Sequence, residues 1–74
     1  MTTISFYPKF LNENIDAEAT IAEYRKWLET HGHYGRLFMW DINKLNAGDP
    51  HSIITGVRIF DGEIGMLFRL IFEV

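Results

Sequence analysis

Apolar Ile4, Phe6 and Phe10 alternate with Thr3, Ser5, Tyr7 and Lys9. A period of two predicts a first strand, placed at a sheet edge or ending at Tyr7 because Pro8 removes a ladder donor. After a short polar stretch, Ala17, Ile21, Tyr24 and Leu28 recur at helical spacing, with Thr20, Trp27 and His31 at the margins of the stripe and Glu18, Ala22, Arg25, Lys26 and Glu29 opposite. This predicts a helix from Asp16 to His31, capped by Asn14 or Asp16 and closed by Gly32 as a left-handed C′ residue. The pairs Glu23 with Lys26 and Arg25 with Glu29 add support along its surface.

Gly35 to Asp41 is apolar on both faces, with Leu37 and Met39 on one side and Arg36, Phe38 and Trp40 on the other. A strand of that kind is expected at the centre of a sheet. Ile42 to Ser52 holds Asn43, Asn46, Gly48, Asp49 and Pro50 and is expected as an exposed loop. Ser52 to Phe60 and Glu63 to Val74 flank Asp61-Gly62, and Asp-Gly between two alternating runs is a strong hairpin signal. A two-residue turn there pairs Phe60 with Glu63, Ile59 with Ile64 and Val57 with Met66.

The expected architecture is thus α+β: a four-stranded, mainly antiparallel sheet in the order β-α-β-β-β, with one helix packed on one face. The hairpin register puts Val57, Ile59, Ile64, Met66 and Phe68 towards that helix. It leaves Ile54, Phe60, Leu67, Ile71, Arg58 and Arg69 on the other face, together with Arg36, Phe38 and Trp40. No second helix is expected to cover this half-apolar, half-basic face, which is the kind of patch that marks an interaction surface.

Composition narrows the setting. The 74 residues form a single domain, and the chain is too small to enclose a large pocket. Hydrophobic residues at 47% exclude a disordered chain. Absence of cysteine removes disulfides, thiolate nucleophiles and Cys-based zinc as staples. Stability must then come from packing or from a partner, and homodimerisation is expected. No membrane-length apolar run and no leader-like N-terminus occur, so a cytoplasmic protein is expected.

Candidate chemistry is thin. His31, His33 and His51, with Asp41 and Asp49, match no structural-zinc spacing, and His31 and His33 fall where a helix end favours cationic side chains. The segment from Asp41 begins like a calcium loop but has Asn46 where Gly is needed and Ser52 where a bidentate Glu is needed. Ser5 and Ser52 sit in no nucleophile motif, Asp61 and Glu63 read as solvated turn charges, and Gly62 and Gly65 form no phosphate loop. The acidic Asp16, Glu18, Glu23 and Glu29 scatter around their helix and read as a solvated face. Neither catalysis nor a cofactor is expected.

Two functional readings follow. Aromatics and arginine are enriched at interface cores, so Arg36, Phe38, Trp40, Arg58, Phe60, Leu67 and Arg69 are expected to bind a larger protein or complex, or a twin. The same Arg and aromatic residues could instead stack single-stranded nucleic acid or an anionic ligand. A net charge of −3 weighs against phosphate binding as the main source of affinity. In size and character the chain is similar to small phage-encoded inhibitors, including anti-CRISPR proteins. That likeness rests on no residue motif, and it implies an inhibitor that occludes a surface of its target.

Overall fold

The computed structural model of the chain describes residues 1–7, 9–44, 48 and 51–74. In chain order the elements are strand β1 (Thr2–Ser5), a single-turn helix α1 (Lys9–Asn12), helix α2 (Ala17–Glu29), strand β2 (Phe38–Lys44), strand β3 (Ser52–Ile59) and helix α3 (Gly62–Phe72). The strands form an antiparallel sheet in the order β1-β3-β2. The α+β class agrees with expectation, whereas the fourth strand and the single covering helix do not.

The difference lies at Asp61-Gly62. Asp61 is extended and its carboxylate accepts from the amides of Glu63 at 2.9 Å and Ile64 at 3.0 Å, which makes it the N-cap of α3 rather than a hairpin turn. Glu63 in the first turn further favours the positive helix end. The residues that follow include Glu63, Met66, Leu67, Arg69 and Leu70, which lose little rotamer freedom in a helix, while β3 holds the β-branched Ile53, Ile54, Thr55, Val57 and Ile59. An alternating apolar pattern at 64, 66, 68, 70 and 72 is therefore also an i, i+4, i+8 pattern at 64, 68 and 72.

Helix α2 forms as its stripe predicts. Asp16 caps it through Ala19 N–H at 3.2 Å, and Ile21, Tyr24 and Leu28 are buried. Its end differs from expectation: Thr30 is right-handed, and the left-handed glycine is Gly35, at φ 87°, in the turn before β2. Gly32 instead lies against Leu37, where a Cβ would come within 2.7 Å of the Leu37 Cβ.

Strand β2, expected in the centre, lies at an edge, and β3 is central. The ladder shifts between Asp41, which pairs with Gly56, and Ile42, which pairs with Ile54. Thr55 is the extra residue of this bulge, and its hydroxyl accepts from Asn43 Nδ2 at 2.7 Å. Residues 42–44 continue β2 rather than opening the expected loop, Ser52 opens β3, and between them only Gly48 and His51 are described.

Ile4, Phe6, Phe38, Trp40, Val57 and Ile59 project from the sheet side that α2 and α3 cover. Tyr24 of α2 joins the two helices, its ring centroid 5.0 Å from Phe68 and 4.7 Å from Phe72. Edge strand β1 is tied to α3 by Arg69, whose guanidinium donates to the Thr3 carbonyl at 3.1 Å. Lys9 donates to the carbonyls of Phe72 and Glu73 and closes the C-terminal end of α3.

Candidate interaction surface

The seven residues expected on one open face do not share it. Phe38 is fully buried and Trp40 nearly so, with Arg25 of α2 stacked 5.8 Å from the Trp40 ring. Strand alternation explains the reversal, because Phe38 and Trp40 lie in register with Ile59 and Val57, and all four enter the core. Arg58 emerges on the opposite side, where its Nε lies 2.9 Å from the Asp41 carboxylate. Leu67 and Arg69 belong to α3 and not to a strand. Arg36 and Phe60 do come together, along a shallow groove with His33 and Leu37.

The open face of the sheet is consequently mixed, with Met39 in register with Arg58 among mainly polar neighbours. A groove of about 310 Å³ runs over it, lined by Thr3, Ser5, Asp41, Asn43, Thr55 and Arg58 among others. With Phe38 and Trp40 in the core and Asp41 beside Arg58, this face offers neither a stacking platform nor a free cationic track. The nucleic-acid reading loses the arrangement that motivated it.

The exposed apolar surface lies on α3 instead. Ile64, Gly65, Phe68 and Phe72 turn inwards, and Met66, Leu67, Leu70 and Ile71 are 65%, 45%, 71% and 53% exposed on the outward side. Spacing of three and four residues makes those four neighbours on one helix face. A helix with apolar residues on both sides ordinarily has both sides covered. Exposed Leu11 on α1, Ile42 on β2 and Tyr34 between α2 and β2 are scattered, as single surface apolar residues commonly are.

A close approach fixes how α3 sits. Gly65 is buried, and a Cβ on it would fall 2.3 Å from the Thr2 hydroxyl oxygen, so the helix crosses the start of β1 at its smallest residue. This contact orients Phe68 inwards and Leu70 outwards. Sequence reasoning left Leu67 and Ile71 uncovered, although on a strand, and wrongly turned Met66 and Leu70 towards the core. A signal was present in Asp61, an aspartate preceding an i, i+4, i+8 run.

His31 is occupied by its own helix: its ring stacks 4.1 Å from Trp27, and Nδ1 lies 2.9 Å from the Trp27 carbonyl. Among the described residues no three His, Asp or Glu side chains are placed to hold a metal ion, and no helix is long and apolar enough to cross a membrane. Asp49, and Leu45 and Asn46 of the calcium-like segment, fall outside the described residues. No known family, curated protein or solved structure matches the chain.

Proposed function

We propose that this protein is a non-enzymatic protein-binding module of the cytoplasm, acting as an inhibitor that covers a surface of a larger protein or complex. Its activity depends on burying the outer face of α3 against another polypeptide. The supporting observation is the exposure of Met66, Leu67, Leu70 and Ile71 on a helix whose other side is already in the core. The Arg and aromatic sheet face first expected to do this work is replaced by a contiguous apolar helix face.

Affinity for the target, isolated from cells that make the protein and measured by calorimetry, tests the reading. Leu70→Glu sets a charge in the middle of the contact and should weaken binding by at least about 30-fold. Arg58→Ala, on the open sheet face, should leave it within about threefold. Unchanged affinity in Leu70→Glu would sink the proposal.

A further inference from the structure

We propose that the free edge of β2 takes up an extended acidic segment of another polypeptide as a fourth strand, along Trp40 to Lys44. This contact is separate from the outer face of α3. The two edges of the sheet are not alike. Phe6 N–H donates to the Thr55 carbonyl at 2.9 Å, so the even-numbered residues of β1 bond to β3, and Thr3 and Ser5 direct their backbone groups outwards. There the Arg69 guanidinium occupies the Thr3 carbonyl at 3.1 Å, and α3 crosses at Thr2, so the edge of β1 is guarded.

Strand β2 has no such guard beyond its start. Phe60 N–H donates to the Leu37 carbonyl at 2.8 Å, which makes the odd-numbered residues of β2 the ladder partners of β3. Its even-numbered residues face outwards, and the turn before the strand uses the first of them, since Gly35 N–H donates to the Phe38 carbonyl at 2.8 Å. Among the described residues nothing bonds the amides of Trp40, Ile42 and Lys44 or the carbonyls of Trp40 and Ile42. These groups recur every two residues, about 6.6 Å along the strand, and the chemistry that satisfies such a row is an extended backbone.

Charge chooses the occupant. Strand alternation puts Ile42 and Lys44 on the same side as Trp40, whose ring carries the Arg25 guanidinium 5.8 Å from its centre. Among the described residues the ion pairs are Lys9 with Glu13 and Arg58 with Asp41, so Arg25 and Lys44 pair with no carboxylate. A second copy of β2 added antiparallel about Trp40 would bring the two Arg25 side chains together. Added about Ile42, it would set each Lys44 beside the other copy's Trp40 and Arg25. Both registers collect positive charge, the device by which edge lysines keep like sheets apart. A strand with carboxylates on this side and apolar residues towards half-buried Met39 suits both sides of the edge.

Amide spectra of the isotope-labelled full chain, titrated with a blocked ten-residue peptide alternating valine and glutamate, test the strand addition. Shifts should centre on Trp40, Ile42 and Lys44 and saturate with a Kd below about 1 mM. The same peptide with lysine in place of glutamate should bind at least about tenfold more weakly. With every amide N-methylated, the glutamate peptide should not bind. Ile42→Pro removes an outward amide and no ladder bond to β3, so the spectrum away from β2 should persist while affinity falls at least about tenfold. No binding, binding that survives N-methylation or Ile42→Pro, equal binding of the lysine peptide, or shifts centred on β1 would each overturn the added strand. So would protection of the β2 amides that grows with protein concentration alone, the mark of a second copy. Leu70→Glu should take up the peptide as the wild type does. A chain that ignores the peptide while Leu70→Glu loses its target refutes the added strand and leaves the α3 reading standing, and the reverse pair of results refutes the α3 reading alone.

Discussion

Helices α2 and α3 both start at an extended aspartate and lay one side against the same sheet face, and their outer sides differ completely. Outside, α2 presents Glu18, Glu23, Arg25, Lys26 and Glu29 to water, and its buried stripe of Ile21, Tyr24 and Leu28 accounts for its place in the fold. Outside, α3 presents Met66, Leu67, Leu70 and Ile71. Nothing in the packing of the core requires those four to be apolar. The contrast separates a helix whose sequence is explained by the monomer from one whose outer side the packing of the monomer leaves unexplained.

Truncations on the two sides of α3 put the largest expected effect on that contrast. Phe68 is fully buried among Tyr24, Trp27 and Phe72, so Phe68→Ala should lose about 3–5 kcal/mol in urea unfolding, enough to unfold a small domain. Leu70→Ala, measured at a concentration low enough to keep the chain monomeric, should change stability by less than about 0.5 kcal/mol. Comparable losses in the two variants would mean that the outer face is packed within the monomer, and the contrast with α2 would collapse.

Next in size is Gly65→Ala. In an open helix the change to alanine stabilises by about 1 kcal/mol, but here the added methyl meets Thr2 and the sign should reverse to a loss of about 1–3 kcal/mol. A gain in melting temperature would show that α3 is not seated on β1 as described. Cap removal ranks below it. Asp61 accepts from two amides and Asp16 from one, so Asp61→Ala should cost about 1–2 kcal/mol and Asp16→Ala less, within the usual range for caps. Equal costs would remove the asymmetry between the two helix starts.

The smallest effect is at alkaline pH. Burial, then the carboxylates of Glu13 and Glu23, raise the Tyr24 phenol above its ordinary value of 10.0. The fold therefore favours the neutral phenol, and this contribution is complete below about pH 10 and lost as pH climbs from there through the raised folded value. Urea midpoints should fall over that window in the wild type and more shallowly in Tyr24→Phe. Identical slopes would show that Tyr24 is not responsible.

Legibility in the sequence follows the same division. Helix α2 could be read because its charged and apolar positions are segregated, and that segregation fixes both period and inward face. Strand β3 could be read from its β-branched run, although the bulge at Thr55 changes which side chains face inwards beyond Gly56. Helix α3 was hidden because it is apolar nearly throughout, so its pattern carries no phase and fits a period of two as well as one of 3.6. The open face assembled from Arg36, Phe38, Trp40, Arg58, Phe60, Leu67 and Arg69 inherited that error. Once residues 62–72 leave the sheet, Leu67 and Arg69 leave the face, and pairing with β3 turns Phe38 and Trp40 into the core.

By itself the sequence determined a small acidic α+β chain without disulfides, one amphipathic helix with its cap, and a shortage of covering surface for its apolar residues. Tertiary structure alone decided that Asp61 starts a helix, that β3 and not β2 is central, and that the uncovered residues lie on α3 instead of the sheet. The reason is physical: a charged side chain declares which way a segment faces wherever it occurs. An apolar one is content in a strand, a helix or an interface, and only the neighbours it meets, Thr2 against Gly65 and Tyr24 against Phe68, choose among them.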